Sequence, residues 1–198
     1  MGVTHPLLAV LSAAADGEFP PADGQAVYLP PLPRGLGAVV SLTGRVYLAT
    51  EHRIPDLDGF GSALAPEVLR CLAGPHGTVG VLDATLVRRG VGGGTLPVRT
   101  DLGDHPRVRH AVELREEVRV YGDDRGLVTL AVGLAGRTEM SVEVFRQGEG
   151  RGLIRAALAL VPAGEVVFAA VAPGNARSLR AFLAEGFVPV GSEVILQP

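Results

Sequence analysis

The clearest periodicity in the chain runs over residues 138–144. Thr138, Met140, Val142 and Val144 alternate there with Glu139, Ser141 and Glu143, the period of two expected of a strand whose faces meet different surroundings. Upstream, residues 38–42 and 45–49 are β-rich runs flanking Thr43-Gly44, which predicts a hairpin. A short strand is predicted over 26–29, inside a Pro- and Gly-rich stretch, and another over 79–87. Pro66 opens a helical pattern that runs to Ala73, where Gly74-Pro75 stops it. Residues 90–94 read as a flexible loop and 106–117 as a helix. A strand over 118–121, a turn over 122–126 and a strand over 127–134 precede the alternating segment. A Gly-rich loop, a helix, a strand over 166–171, a second helix and a closing strand pair around 190–196 follow it. No internal repeat is present.

Composition narrows the class. The chain has 198 residues, 47% of them hydrophobic, enough for a real core. The formal net charge is −3, which argues against nucleic acid as a partner, because phosphate backbones select basic surfaces. The single cysteine, Cys71, allows no internal disulfide and fits a reducing cytoplasm. Its place beside Leu69 and Leu72 predicts a small buried hydrophobe rather than a nucleophile. All basic side chains are arginine, a codon-bias signature of a GC-rich bacterial genome. The apolar stretch 7–15 is too short to span a bilayer and has no Lys or Arg ahead of it. A soluble, cytoplasmic protein with no membrane partner is the expectation.

The chemistry concentrates in the last third. Arg146-Gln147-Gly148-Glu149-Gly150-Arg151-Gly152 lies between a strand and a helix whose Ile154, Ala157, Leu158 and Val161 share a face. Glycines allow close backbone approach, and the helix start presents free N–H groups and the positive end of the macrodipole. That combination suits a pyrophosphate; read alone, it is equally a structural turn. Arg151 and Arg155 are candidate anion partners or a solvated face. Downstream, Asn175 is a good helix N-cap and Gly186 a good C′ residue, with Leu179, Phe182 and Leu183 between them giving an apolar face. His105 and His110 are five apart, without a carboxylate at a metal spacing; they read as surface histidines, and no metal site is expected.

Gln147-x-x-Gly150-x-Gly152 resembles the pyrophosphate motif of the GNAT superfamily of N-acyltransferases. The run Val171-Ala172-Pro173-Gly174-Asn175-Ala176-Arg177-Ser178, with Phe182 and Gly186-Phe187, resembles its second motif. The resemblance is best over 117–198. It implies an α/β fold with a central mixed, mostly antiparallel sheet flanked by helices. The acetyltransferase domain would span 78–198, and 1–77 would be an N-terminal α/β extension of unassigned role. It also implies acetyl-CoA as co-substrate and no metal. Backbone groups of Val142 and Val144 would meet the pantetheine arm, and Gln147, Gly148, Gly150, Arg151, Gly152, Asn175 and Ser178 would complete the cofactor site. The acceptor would be a small-molecule or peptide amine, and a homodimer is an option.

The chain departs from the family at the catalytic positions. Where many members place a tyrosine that protonates the departing thiolate, Phe182 stands. Where some place a glutamate late in the fifth strand, the chain has Ala169-Ala170-Val171. Glu139 and Glu143 are the remaining base candidates, Glu139 preferred because Glu143 lies nearer the phosphate end. Each reads otherwise as a solvated or salt-bridged carboxylate. Two other functions stand beside the enzyme: an acyl-CoA-binding module without chemistry, acting as sensor or partner protein, and a generic α/β domain with no CoA.

Overall fold

The computed structural model describes residues 4–198. The elements follow in the order α1 (Pro6–Ala15), β1 (Ala26–Leu29), β2 (Gly37–Leu42), β3 (Arg45–Ala49), α2 (Pro66–Ala73), β4 (Thr78–Val79) and β5 (Asp83–Arg89). Then come α3 (Pro106–Leu114), β6 (Glu116–Asp123), β7 (Gly126–Val132), β8 (Thr138–Val144), α4 (Gly150–Leu160), β9 (Val166–Val171), α5 (Ala176–Ala184) and β10 (Val188–Gln197). The class is mixed α/β. The chain divides into two compact units, one up to Thr85 together with Val190–Pro198, the other Leu86–Pro189.

In the first unit β2 and β3 form the expected hairpin. Its two turn residues both have positive φ, 49° at Thr43 and 79° at Gly44, the turn whose twist matches that of paired strands. β1 pairs parallel with β3, while β10 pairs antiparallel with β2 and with β4. Helix α2 lays Leu69 and Leu72 on Val39, Leu48, Val194 and Leu196. Cys71 is exposed rather than buried: two residues on from Leu69, it points off the face that Leu69 and Leu72 share. The strand expected over 79–87 is two strands. Gly80 leaves β4 with its N–H bonded to the Ile195 carbonyl, 2.8 Å, and β5 starts only at Asp83. Buried Thr85 donates its hydroxyl to the buried Glu193 carboxylate, 2.6 Å.

In the second unit the strand order is β5-β9-β8-β7-β6. β6–β7 and β7–β8 are antiparallel and β8–β9 is parallel, so the mixed, mostly antiparallel character holds in both units. Helix α3 ends at Leu114, earlier than the sequence pattern suggests. Arg115 is already extended, φ −130° and ψ 163°, and turns its side chain to a buried carboxylate. The closing segment is one ten-residue strand, β10, rather than a pair.

The loop 90–94, expected to be a flexible connection, is docked. Val91, Gly92 and Gly94 donate their N–H groups to the carbonyls of Leu158, Val161 and Ala159 at 3.2, 2.9 and 2.8 Å. These carbonyls lie in the last turn of α4 and at its C-cap, where a helix runs out of N–H partners of its own; among the described residues only Leu158 also accepts the Val161 N–H, 3.3 Å. A Cβ at Gly94 would lie 2.6 Å from the Ala159 carbonyl carbon, whereas one at Gly93 would meet nothing within 4 Å. Gly94→Ala should therefore lower stability by about 2 kcal/mol or more through overpacking against backbone. Gly93→Ala, at φ 77°, should cost about 1 kcal/mol for its left-handed conformation alone. Urea unfolding of both variants checks this. Equal losses would mean that the loop is not docked.

Candidate active site

β8 is paired along its whole length to β7, from Gly126↔Val144 to Val132↔Thr138. To β9 it is paired at one position, Glu139↔Phe168. Beyond that the two parallel strands part, and the β9-facing edge of β8 opens into a cleft of about 1080 Å³. Val142, Glu143, Val144 and Phe145 line it from β8 and its extension, and α4 and α5 form the other wall.

The start of α4 forms one end of the cleft. Glu149 precedes the helix without giving a side-chain cap, and the first backbone bond of the helix runs from Leu153 N–H to the Glu149 carbonyl, 2.9 Å. The N–H groups of Gly150, Arg151 and Gly152 are thus the orphan donors of an uncapped N-terminus. Gly148, at φ 93°, makes the turn that glycine permits. Gly150 is different. It is helical, and a Cβ there would meet only Val144 Cγ2 at 3.5 Å and Ala181 Cβ at 4.0 Å, ordinary contacts. Neither dihedral nor packing requires a glycine at this helix start, yet glycine lowers helix propensity. Its absent side chain leaves the cleft open next to the free N–H groups.

Helix α5 contributes the second wall. Asn175 accepts the Ser178 N–H through its side chain, 3.2 Å, and both residues line the cleft. Gly186 follows the helix at φ 81°. Phe182 is buried and packs edge-on against Phe187, ring centroids 4.9 Å apart. Leu183, expected on the apolar face, is exposed.

Among the expected cofactor residues Val142, Val144, Gln147, Gly148, Gly150 and Arg151 also line the cleft, whereas Gly152 lies one step back in the first turn of α4. Arg107, Phe145, Arg177 and Arg180, none of them among the expected site residues, line it too. Arg177 falls inside the run 171–178, but nothing in the local sequence marks the other three; the fold brings them together. Four arginines and one glutamate, Glu143, are the charged lining residues, so the cleft is basic in a chain of net charge −3. Arg177 and Arg180 enter no ion pair among the described residues. Arg151 and Arg155 share buried Glu185, with Arg151 Nε 2.8 Å from Oε1 and Arg155 Nη2 3.0 Å from it. Burial pushes the Glu185 carboxyl up, but the two guanidiniums outweigh it and hold it below its ordinary value.

The two candidate bases separate. Glu139 does not line the cleft. It is buried, accepts the Leu134 N–H at 2.9 Å and Arg137 Nε at 2.9 Å, and is bonded to Arg115 Nε. The Arg137 side chain is 0% exposed. Burial pushes the Glu139 carboxyl up, but the Arg137 and Arg115 charges prevail and hold it down at about 2. A carboxylate so committed has no room to take a substrate proton, which corrects the preference for Glu139. Glu143 does reach the cleft. Arg107 Nε lies 3.1 Å from its Oε2 and His105 Nε2 3.8 Å from its Oε1. His105 is thus not a bare surface residue: it caps α3, its Nδ1 accepting the Arg107 N–H at 3.2 Å. Val142 and Val144 share one face of β8, and Glu143, paired with Arg107 of α3, lies on the other, so the cleft is lined from both faces of β8.

No family model matches the chain, and no curated protein matches it. Among solved structures it is similar to a functionally unknown conserved protein from Staphylococcus epidermidis ATCC 12228, at TM-score 0.41 and 14% identity, over 77% of this chain and 71% of that one. It is also similar to a GCN5-related N-acetyltransferase from Kribbella flavida, at TM-score 0.40 and 13% identity, over 100% of this chain and 96% of that one. Both likenesses are too distant to carry a correspondence of residues. Among the described residues no group of His, Cys, Asp and Glu could hold a metal, and no helix is long and apolar enough to cross a membrane.

Glu139→Gln should cost about 3–5 kcal/mol, because it strands two guanidiniums in the interior. The sign of the pH dependence follows from its lowered carboxyl. The stabilisation is present above the ordinary value of 4.5 and is lost as pH falls toward about 2. Unfolding free energies measured from pH 6 to 3 should fall steeply for the unaltered protein and less for the variant. Parallel curves would contradict the assignment.

Proposed function

We propose that the chain is an N-acetyltransferase of the acyl-CoA N-acyltransferase fold, moving an acetyl group from acetyl-CoA to a primary amine. Residues 78–198 would form its catalytic domain and 1–77 an extension of unassigned role. The observation that carries this reading is the parting of β8 from β9 after a single register pair, with an uncapped helix start at one end of the gap. A pyrophosphate fits the N–H groups of Gly150–Gly152 by charge and by hydrogen bonding, with Arg177 and Arg180 as further countercharges. An amide-bearing arm fits the open backbone edge at Val142–Val144, as a strand would. Access from both faces of β8 suits two substrates meeting at one thioester.

The chemistry then balances as follows. An ammonium gives one proton to Glu143, directly or through water, because only the neutral amine is a nucleophile. Its nitrogen attacks the thioester carbonyl, backbone N–H groups of β8 stabilising the oxyanion. The C–N bond forms and the C–S bond breaks. The nitrogen's second proton passes through water to the leaving thiolate, since Phe182 has none to give. Amide and coenzyme A thiol leave, and Glu143 returns its proton to solvent.

A second reading is a module that binds acyl-CoA without turning it over. Phe182 favours it: buried against Phe187, it leaves no hydroxyl where a thiolate would need an acid.

Acetyl-CoA at about a hundred times its dissociation constant should add roughly 2.7 kcal/mol of stability, read as a rise in Tm. Gly150→Ala should leave the unliganded fold as stable or up to about 1 kcal/mol more so, while weakening acetyl-CoA at least tenfold. Gly150→Asp should abolish binding by placing a carboxylate at the anion site. No Tm shift at millimolar acetyl-CoA, or full affinity in Gly150→Asp, would overturn the cofactor reading. Thiol release with a panel of amines separates the enzyme from the silent module.

A further inference from the structure

We infer that the acceptor is an amine with a carboxylate on the adjacent carbon, the head group of an α-amino acid, held by Glu143 and Arg107 together. The inference rests on the acetyltransferase reading and extends it to the acceptor's class.

Glu143 and Arg107 form an ion pair within the wall of the cleft, their side chains 37% and 40% exposed. Exposed pairs of this kind add little to stability, so folding alone does not account for its place. Arg107 meets Glu143 through Nε at 3.1 Å, and among the described residues its two Nη atoms make no hydrogen bond. They form the fork that grips a carboxylate in two parallel bonds. Among the described residues Glu143 Oε1 accepts no hydrogen bond: His105 Nε2 approaches it only to 3.8 Å, and His105 Nδ1 is occupied as the α3 cap. The site therefore offers one acceptor oxygen and one free guanidinium edge side by side.

A zwitterionic head presents the complementary charges. Its ammonium meets Glu143 and its carboxylate meets Arg107, and no charge is left unmatched. A plain alkylammonium would also find Glu143, but it would stand next to the Arg107 cation, a like-charge contact in a partly desolvated site. Arg177 and Arg180, carried by α5, line the opposite wall and are left for the cofactor's phosphates. Phe145, 47% exposed and 6.0 Å ring to ring from His105, offers apolar surface to the acceptor's side chain.

Matched pairs of ligands test this: phenylalanine with phenethylamine, leucine with isoamylamine, alanine with ethylamine. Calorimetry on the full chain loaded with coenzyme A reads their affinity whether or not turnover occurs. The expected result is at least tenfold tighter binding of the amino acid than of its decarboxylated partner in one or more pairs. Arg107→Gln should remove that preference and Arg107→Lys retain part of it, since a lysine keeps the charge and loses the fork. Circular dichroism and coenzyme A affinity certify the variants. Amines binding as tightly as amino acids, a preference that survives Arg107→Gln, or no binding by any compound would each overturn the acceptor assignment and leave the cofactor reading standing. Failure of coenzyme A itself to bind would overturn both.

Discussion

The arrangement depends on one junction, the register pair Glu139↔Phe168. Everything around it is tied down. The Glu139 carboxylate gathers Arg115, Arg137 and the Leu134 N–H, and the Arg137 guanidinium also lies 4.8 Å above the Phe168 ring. This knot holds β8 to β9 at its own position and nowhere further along. Had the ladder continued, the edge of β8 at Val142–Val144 would be saturated by β9 and no slot would exist. The same knot grips the end of α3 through Arg115, and the start of that helix brings Arg107 to Glu143. A buried ion network is weak ground for stability in itself; what it contributes is a fixed place at which two strands separate.

Charge is distributed to match. The chain as a whole is mildly acidic, yet the lining of the cleft is basic. Arg151 and Arg155 are tethered by Glu185, which fixes the first turns of α4 against the residue after α5. Arg177 and Arg180, on the cleft wall, enter no ion pair among the described residues. At the helix start the fold uses glycine where alanine would be sterically acceptable. Helix propensity is given up there for exposed N–H groups and an unobstructed approach, a pattern that makes sense if a ligand completes the turn.

Much of this was legible in the sequence because it follows from local rules. The Thr43-Gly44 hairpin, the alternation of β8, the Asn175 cap and the glycine after α5 each rest on a few neighbouring residues. What was not legible depends on partners distant in the chain. Glu139 and Glu143 sit on the same face of one strand and look equivalent in sequence. Arg115 and Arg137 bury one of them, while Arg107 leaves the other open to the cleft, and only tertiary structure tells them apart. Residues 90–94 look like a mobile linker because glycine is read as freedom; here glycine allows backbone to lie directly on the end of α4. The strand over 79–87 broke, and the helix over 106–117 stopped early, because partners at Ile195 and Glu139 outweighed local periodicity.

The central claim is that the open edge of β8 and the bare start of α4 together receive one ligand. Backbone amide hydrogen exchange with and without coenzyme A tests it most directly. Slowed exchange is expected at Val142–Phe145 and at Gly148–Gly152 together, with little change at the Glu139–Phe168 junction, already closed in the free protein. Slowing at only one of the two segments, or binding of coenzyme A with neither affected, would contradict the account.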